Sequence, residues 1–371
     1  MRAPVSSPVI IAAGGTGGHF FPAEALAHEL QMRGERVVLI TDARSGGLSS
    51  SVFAGVECHV VAGAGLSGRS LPRAVSGAAK LLRGTGQARQ IMAALRPGAV
   101  VAFGGYPAIA PVLAAISLRR SPKIFLHEQN AVLGRANRFL ARWADVLLVS
   151  FANTRAAPRG VKTELTGNPV RPAIAALSGT PYAPPTDIIN ILVLGGSLGA
   201  KIFGALIPAA FAVLPANLRA RLHVVQQCRA QEHDDAAATY AGAGIAAVLS
   251  PFFNDMAAQY QTAHLVIARA GASSVAEIAI AGRPAVFIPL PSAIDDHQRA
   301  NADALADVGA AWRLDQHGLT PEILSERLEH LLSNPTLLTV AARAAGAAAH
   351  LNAAAHIATL VQTSLAASTS A

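Results

Sequence analysis

Val9-Ile10-Ile11-Ala12-Ala13-Gly14-Gly15-Thr16-Gly17-Gly18-His19-Phe20-Phe21-Pro22-Ala23 passes from an apolar run through glycines into a helix start, and the fold of the chain follows from it. Its apolar, β-branched start reads as a buried strand. Four glycines around one threonine then break the run, and Pro22-Ala23-Glu24-Ala25-Leu26-Ala27-His28-Glu29-Leu30 opens as an amphipathic helix. A turn of this kind aims the free N–H groups of the helix start, with the helix dipole behind them, at whatever lies beyond the strand end. The result is a cradle for an anion or a sugar phosphate, with His19 at its lip. The spacing Gly15-x-Gly17-Gly18-His19 is not the G-x-G-x-x-G of dinucleotide binders, although Asp42 stands roughly where their acidic ribose partner would fall. His19 has two readings: a structural imidazole, or a base working near neutral pH.

Outward from this unit the pattern repeats. Val37–Ile40, Ala99–Phe103, Lys123–Leu126 and Val146–Val149 are strand-like, with helical stretches over Ala78–Leu95 and Ala110–Leu118. Apolar strands alternating with helices predict a parallel sheet covered on both faces. A proline- and glycine-rich zone follows, from Gly167-Asn168-Pro169-Val170-Arg171-Pro172 to Tyr182-Ala183-Pro184-Pro185. Beyond it Ile188–Leu194 is again a strand, Gly195-Gly196-Ser197-Leu198-Gly199-Ala200-Lys201 a second glycine turn, and Leu222–Val225, Ala247–Leu249, Leu265–Ala268 and Ala285–Pro289 further strands. The expected organisation is α/β, with two Rossmann-like doubly wound domains. The first covers 1–168, a linker 169–187, and the second 188–339, with an alanine-rich helix at about 340–365 packing back on the first. Ligands bind off the carboxyl ends of such strands, so two facing domains would place a substrate cleft between them.

Composition narrows the function. The 371 residues are 52% apolar and only 5% aromatic, and 30 Lys+Arg against 22 Asp+Glu leave a net charge of +8. That balance favours anionic partners, while the scarcity of aromatics among the arginines argues against a stacking nucleic-acid surface, so no nucleic acid is expected. Cys58 and Cys228 fit neither a disulfide framework nor a metal knuckle. The apolar run before the first glycine turn is too short for a signal peptide, and none approaches the ~18 residues of a spanning helix. A cytoplasmic protein is expected.

Polar groups gather where strands end. Gly104-Gly105-Tyr106-Pro107 and His127-Glu128-Gln129-Asn130 each follow an apolar strand. Arg269-Ala270-Gly271-Ala272-Ser273-Ser274-Val275-Ala276-Glu277 follows another. There the serines are either phosphate donors at a helix start or ordinary N-caps, and Glu277 suits neutral ribose hydroxyls better than a phosphate. In Asp295-Asp296-His297-Gln298 the histidine is either a solvated loop residue or a ligand contact, while Gln298 and Asn301 are neutral hydrogen-bonders of the type that read sugar hydroxyls; without a second His/Asp cluster nearby, a metal site is not expected. The segment around Leu71, Lys80, Leu81, Leu82 and Arg83 reads either as a solvated helix face or as an apolar patch ringed by basic side chains, resting on anionic lipid.

Taken in order, these motifs resemble the MurG family of UDP-N-acetylglucosamine–N-acetylmuramyl-(pentapeptide) pyrophosphoryl-undecaprenol N-acetylglucosamine transferases. They include Gly167-Asn168-Pro169-Val170-Arg171, Gly134 with Asn137, and Asp296-His297-Gln298 with Asn301, and the likeness spans about residues 8–310. The resemblance implies a GT-B fold and an inverting enzyme moving GlcNAc from UDP-GlcNAc to the muramyl C4 hydroxyl of lipid I. It would make lipid II for peptidoglycan, with no cofactor and no metal. It implies peripheral attachment to the anionic cytoplasmic face of the bacterial inner membrane. By the same resemblance His19 is the base, and Thr16, Gly17 and Gly18 line the diphosphate region. Asn130 contacts GlcNAc, Arg171 and Ser197 reach the phosphates or uridine, and Phe253 lies where a backbone holds uracil. Ala272, Ser273, Ser274, Val275, Ala276 and Glu277 cradle diphosphate and ribose, His297 and Gln298 hold sugar hydroxyls, and Gly104, Gly105 and Tyr106 face the acceptor. Two departures fall in the donor domain: Gly204 where the family usually has Asn, and Gln226-Gln227-Cys228-Arg229 where it has His-Gln-x-Gly. A UDP-GlcNAc 2-epimerase or other UDP-sugar enzyme on the same architecture, an NAD-dependent oxidoreductase and a two-lobed solute-binding module are the rival readings.

Overall fold

A computed structural model describes residues 7–14, 17–43, 50, 52–63, 71–196 and 199–369, with 71–74 and 368–369 described by backbone alone. Thr16 and Ser197, two of the expected ligand residues, lie outside the described residues, as does the side chain of Leu71.

Two α/β units divide the chain, Met1–Arg171 with Asn352–Ala371, and Pro172–Leu351. The first holds β1 (Val9–Ala12), α1 (Gly17–Met32), β2 (Val37–Thr41), β3 (Glu57–Val60), α2 (Leu71–Leu95), β4 (Ala99–Ala102), α3 (Gly105–Ile116), β5 (Lys123–Glu128), α4 (Arg135–Leu140), β6 (Val146–Val149) and β7 (Thr163–Leu165). Among the described residues its strands form one parallel sheet in the order β3-β2-β1-β4-β5-β6-β7. β1 splits its residues between the two layers: Ile10 and Ala12 join the core that holds Val100, Ile109 and Leu126, while Val9 and Ile11 join Phe20, Leu26, Phe103 and Phe125 on the other face. Burial on both faces is why these strands read as continuous apolar runs.

The second unit begins with α5 (Pro172–Ala175), β8 (Ile189–Leu194), α6 (Lys201–Ala212), α7 (Ala216–Arg219), β9 (Leu222–Gln227) and α8 (His233–Gly242). It continues through β10 (Ala246–Ser250), α9 (Met256–Thr262), β11 (Leu265–Ala268), α10 (Ala272–Ala281), β12 (Ala285–Phe287), α11 (His297–Ala306), β13 (Ala311–Arg313), α12 (Pro321–Leu332) and α13 (Pro335–Ala347). Its sheet order, β10-β9-β8-β11-β12-β13, repeats the winding of the first six strands of the other sheet. In both sheets the winding reverses beside the first strand, which opens the crevice where α/β folds bind ligands.

Two boundaries differ from the expectation. Residues 172–187, read as linker, pack on the second unit: α5 lies against α9 and α10, and the Tyr182 hydroxyl donates to the His264 carbonyl at 3.0 Å. The single helix expected at about 340–365 is two. α13 stays with α10 in the second unit, and α14 (Ala353–Thr369) lies on α1. Ile357, Ala358 and Val361 of α14 are fully buried in the first core, and the two larger ones contribute roughly 1.5–3 kcal/mol each. Arg33 at the end of α1 fixes the seam by donating to Thr359 Oγ1 at 2.8 Å and the Ala355 carbonyl at 3.0 Å.

Candidate active site

In the first unit the site is built where β1, β4 and β5 end side by side, an adjacency set by the strand order. α1 follows β1 after the glycine turn and carries His19, half-buried, in its first turn. α3 follows β4 through Gly104 and Gly105, at φ +76° and +66°, a region that side-chain-bearing residues avoid. Close approach reinforces the choice, because a Cβ on Gly105 would stand 3.2 Å from His19 Nε2. The third contributor is His127-Glu128-Gln129-Asn130 at the end of β5, whose first three side chains are all buried.

Buried polar groups need partners, and here they find one another. His127 Nε2 faces the Gly167 carbonyl at 3.0 Å, so it carries the proton and donates. Burial keeps that ring neutral, its pKa pushed down to about 4. Its Nδ1 therefore accepts from Gln129 Nε2 at 3.1 Å, which also donates to the Phe103 carbonyl at 3.0 Å. Gln129 Oε1 meets His19 Nδ1 at 3.0 Å. Glu128 is the acceptor for a second set. Its Oε1 takes the Asn130 backbone N–H at 3.0 Å and the Asn130 side-chain amide at 3.1 Å, and its Oε2 takes the Gly134 N–H at 2.8 Å and Asn137 Nδ2 at 2.9 Å. Asn130, expected at the sugar, is thus held by its neighbour's carboxylate.

Gly17 and Gly18, expected in the turn before a helix opening at Pro22, are instead the first residues of α1, the first buried and the second exposed. Arg171 lies with its guanidinium 5.1 Å from the Phe21 ring centroid on α1, a stacked position within the first unit. On α2, Lys80, Leu82 and Arg83 are exposed, with Leu82 at 74%. Leu81 departs from the expected patch: it is half-buried and packs against the core, since neighbouring positions on a helix point about 100° apart. Tyr106, in the first turn of α3, is half-buried beside the same core.

In the second unit the polar groups surround the ends of β8, β11 and β12. α10 starts after Gly271, and the Val275 N–H bonds back to the Gly271 carbonyl at 3.0 Å. The helix-start donors are therefore Ala272, Ser273 and Ser274, and the expected cradle narrows. Val275 is a core side chain, and Ala276 continues the helix. Ser273 Oγ is out of contact with solvent and has no hydrogen-bond partner among the described residues. One turn on, Glu277 is buried and its Oε2 accepts from the Tyr260 hydroxyl at 3.1 Å. Arg269 lies under the loop after β12, donating to the Ile288 and Pro289 carbonyls at 2.8 and 3.0 Å, and burial pushes its pKa down to about 10. Asn301 Nδ2 donates to the Ala270 carbonyl at 3.0 Å.

His297 begins α11 and donates from Nδ1 to the Ile294 carbonyl at 2.8 Å, while Gln298 Oε1 accepts the Leu290 N–H at 3.0 Å. Asp296 pairs with Arg299 Nε at 2.8 Å. Among the described residues no three His, Cys, Asp or Glu side chains form a group able to hold a metal ion. Phe253 is half-buried in the loop after β10.

The two departures from the family pattern have structural accounts. Gln226 is fully buried, donating to the Phe203 carbonyl at 3.1 Å and accepting from the Tyr240 hydroxyl at 2.6 Å. It is a core residue. Gln227 supports the second glycine turn by accepting the Gly195 N–H at 3.1 Å. Gly204 makes room for Glu232, whose Cβ would lie 2.5 Å from a Cβ at 204, and Glu232 in turn pairs with Arg229 Nε at 3.2 Å. Gly204→Asn is accordingly expected to destabilise the second unit by about 1–3 kcal/mol through overpacking. Thermal unfolding should show the loss, and Glu232→Gly in the same chain, which removes the Cβ and Cγ that the new side chain would meet, should restore part of it.

His127, Glu128, Gln129, Asn137 and Arg269 are motif members to which the sequence gives no role of their own. The available signal was a run of polar residues directly after an apolar strand, a place where side chains are buried and need partners.

Two parallel sheets of the same winding, each with polar groups at the carboxyl ends of its strands, define a doubly wound α/β protein of the ligand-binding kind, and comparison with known proteins narrows the class. The chain matches the glycosyltransferase family 28 N-terminal domain over residues 9–149 and the glycosyltransferase family 28 C-terminal domain over residues 190–359. It belongs to glycosyltransferase family 28, and its two parallel-sheet units are those of a GT-B enzyme. More particularly, it is 53% identical over 98% of its length, and 95% of the relative's, to the UDP-N-acetylglucosamine--N-acetylmuramyl-(pentapeptide) pyrophosphoryl-undecaprenol N-acetylglucosamine transferase of Granulibacter bethesdensis. The crystal structure of Acinetobacter baumannii MurG superposes with a TM-score of 0.78 at 36% identity, covering 96% of this chain and 99% of that one. A UDP-N-acetylglucosamine 2-epimerase structure from Listeria monocytogenes has a TM-score of 0.67 at 16% identity, covering 95% of each chain, a likeness of fold alone. The epimerase and oxidoreductase alternatives are not favoured.

Proposed function

We propose that the chain transfers GlcNAc from UDP-GlcNAc to the muramyl C4 hydroxyl of lipid I, with inversion, giving lipid II. The observation that carries this reading is His19: its Nδ1 is engaged by Gln129, and its Nε2 lies against Gly105 at the head of α3, beside the ends of three parallel strands. The acceptor oxygen attacks C1 of the sugar as the bond from C1 to the β-phosphate oxygen breaks. His19 Nε2 takes the hydroxyl proton, and UDP departs with its charge increased. Positioned bases of this kind give about 10²–10⁴-fold. On the second unit, the N–H groups of Ala272, Ser273 and Ser274 offset the charge on the departing diphosphate. Glu277, oriented by Tyr260, suits ribose hydroxyls, and His297 and Gln298 suit those of the sugar.

One in-line displacement turns the α-linked donor into a β-linked product. Proton NMR of the product should show the β coupling; an α product would contradict a single displacement by a hydroxyl activated at His19.

The same reading has the first unit rest on the anionic cytoplasmic face of a bacterial inner membrane. No described helix is long and apolar enough to cross a membrane. α2 exposes Val75 at 64% and Leu82 at 74% beside the exposed Lys80 and Arg83, an arrangement suited to lying on a charged surface. Val75→Ser with Leu82→Ser should reduce co-sedimentation with anionic vesicles several-fold while leaving binding of UDP-GlcNAc intact. Unaltered sedimentation would move the patch elsewhere.

A further inference from the structure

We propose that Gln129 and His127 are positioning residues that set the tautomer of His19, holding the proton on Nδ1 so that Nε2 presents its lone pair. The inference rests on the reading of His19 as the transfer base and adds what makes it one.

The Gly167 carbonyl fixes the direction of the whole series of contacts. A backbone carbonyl only accepts, so the 3.0 Å contact from His127 Nε2 to Gly167 puts a proton on that nitrogen. His127 is fully buried, and a neutral ring with Nε2 protonated has a lone pair on Nδ1. That lone pair and the Phe103 carbonyl, 3.1 and 3.0 Å from the same atom of Gln129, both demand a donor, which makes the atom the amide nitrogen. Rotating the amide would face an oxygen with two acceptors. The amide oxygen therefore points at His19 Nδ1, 3.0 Å away, and that nitrogen must donate. Each link fixes the next, from Gly167 through His127 and Gln129 to His19, and no link can be reversed alone. Gln129 is only 2% exposed, so water does not replace it as a partner. With Nδ1 committed, the remaining nitrogen of His19 is the acceptor, and it is the one lying against Gly105. The arrangement uses a neutral amide in the orienting role that a carboxylate fills in a Ser-His-Asp triad.

The test is the ring nitrogen spectrum of His19 in the full chain labelled with ¹⁵N-histidine, recorded above the imidazole titration range and assigned by loss of the signals in His19→Ala. The wild type should show Nδ1 protonated and Nε2 unprotonated. Gln129→Leu should convert His19 to a mixture dominated by the Nε2–H form, and kcat should fall about 10–100-fold with the KM for UDP-GlcNAc unchanged. His127→Phe keeps the ring contact with Phe103 (5.2 Å between centroids) but removes the acceptor for Gln129. It should give a smaller change in the same direction, and it serves as the test if Gln129→Leu does not fold. A His19 spectrum unaltered in the folded variant would overturn the inference, as would a loss expressed in KM alone. Because the spectrum needs no turnover, its result is separable from the proposed function: a fixed tautomer in a chain without transferase activity would sink that function and leave the relay standing.

Discussion

Replacing His19 with alanine is expected to lower kcat for GlcNAc transfer by about 10²–10⁴-fold, the range that a positioned base supplies. The affinity for UDP-GlcNAc should stay within about twofold, because the groups proposed to hold the donor (Ala272 to Ser274, Glu277, His297 and Gln298) belong to the second unit, whereas His19 belongs to the first. Calorimetric titration with the nucleotide sugar and steady-state kinetics on the same preparation separate the two effects. A loss of binding with kcat retained would make His19 a donor contact, and an unchanged kcat would remove it from the base role. Little loss of stability is expected, since His19 is half-buried and one neutral hydrogen bond contributes only about 0.5–1.5 kcal/mol.

Glu128→Gln is expected to destabilise the first unit by about 2–4 kcal/mol. The carboxylate is 2% exposed and accepts from four N–H groups: the backbone of Asn130 and Gly134 and the side chains of Asn130 and Asn137. An amide of the same shape leaves no cavity, but it offers one oxygen and turns an NH₂ toward two of those donors. Each buried donor left unsatisfied costs roughly 1–3 kcal/mol. Activity should fall too, because Asn130 loses the acceptor that fixes its backbone and its amide. Urea unfolding followed by a probe in the first unit measures the stability change, and a shift below about 0.5 kcal/mol would mean that the carboxylate does not carry these four bonds. Glu128→Asp should lose at least the contacts on one side, because the shorter arm cannot span both pairs.

Interior strands were legible because burial on two faces leaves an unbroken apolar run, as in Val9–Ala12 and Leu265–Ala268. Of the four edge strands only β10 was, as Ala247–Leu249. β3 reads Glu57-Cys58-His59-Val60 and is mostly exposed, and β7 and β13 have only three residues each, so neither alternation nor an apolar run marks them. In the tail, alanine favours helix everywhere and marks no break. The gap between α13 and α14, and hence the return of α14 to the first unit, has no compositional sign strong enough to read. The site divides the same way. That His19 and the polar run at the end of β5 are candidates for a site is visible from their positions at strand ends. Which of them touch depends on β1, β4 and β5 being neighbours, and strand order is a tertiary fact. Which backbone donors α10 leaves open was hidden for a related reason: a helix has orphan N–H groups only in its first turn, and the start of that turn at Ala272 is set by the backbone. Gly204 departs from the family pattern at a point where Glu232, distant enough in sequence to give no sign, occupies the space a side chain would need.

The central claim is transfer of an amino sugar to a lipid-linked acceptor. It is tested most directly by incubating the full chain with radiolabelled UDP-GlcNAc and a lipid I analogue in the presence of EDTA, and following label into the lipid phase. The account predicts stoichiometric release of UDP and a labelled disaccharide lipid, with formation dependent on the analogue and undiminished by the chelator. Label remaining in the aqueous phase, appearing as an epimerised nucleotide sugar, or entering lipid only when divalent metal is restored would contradict it.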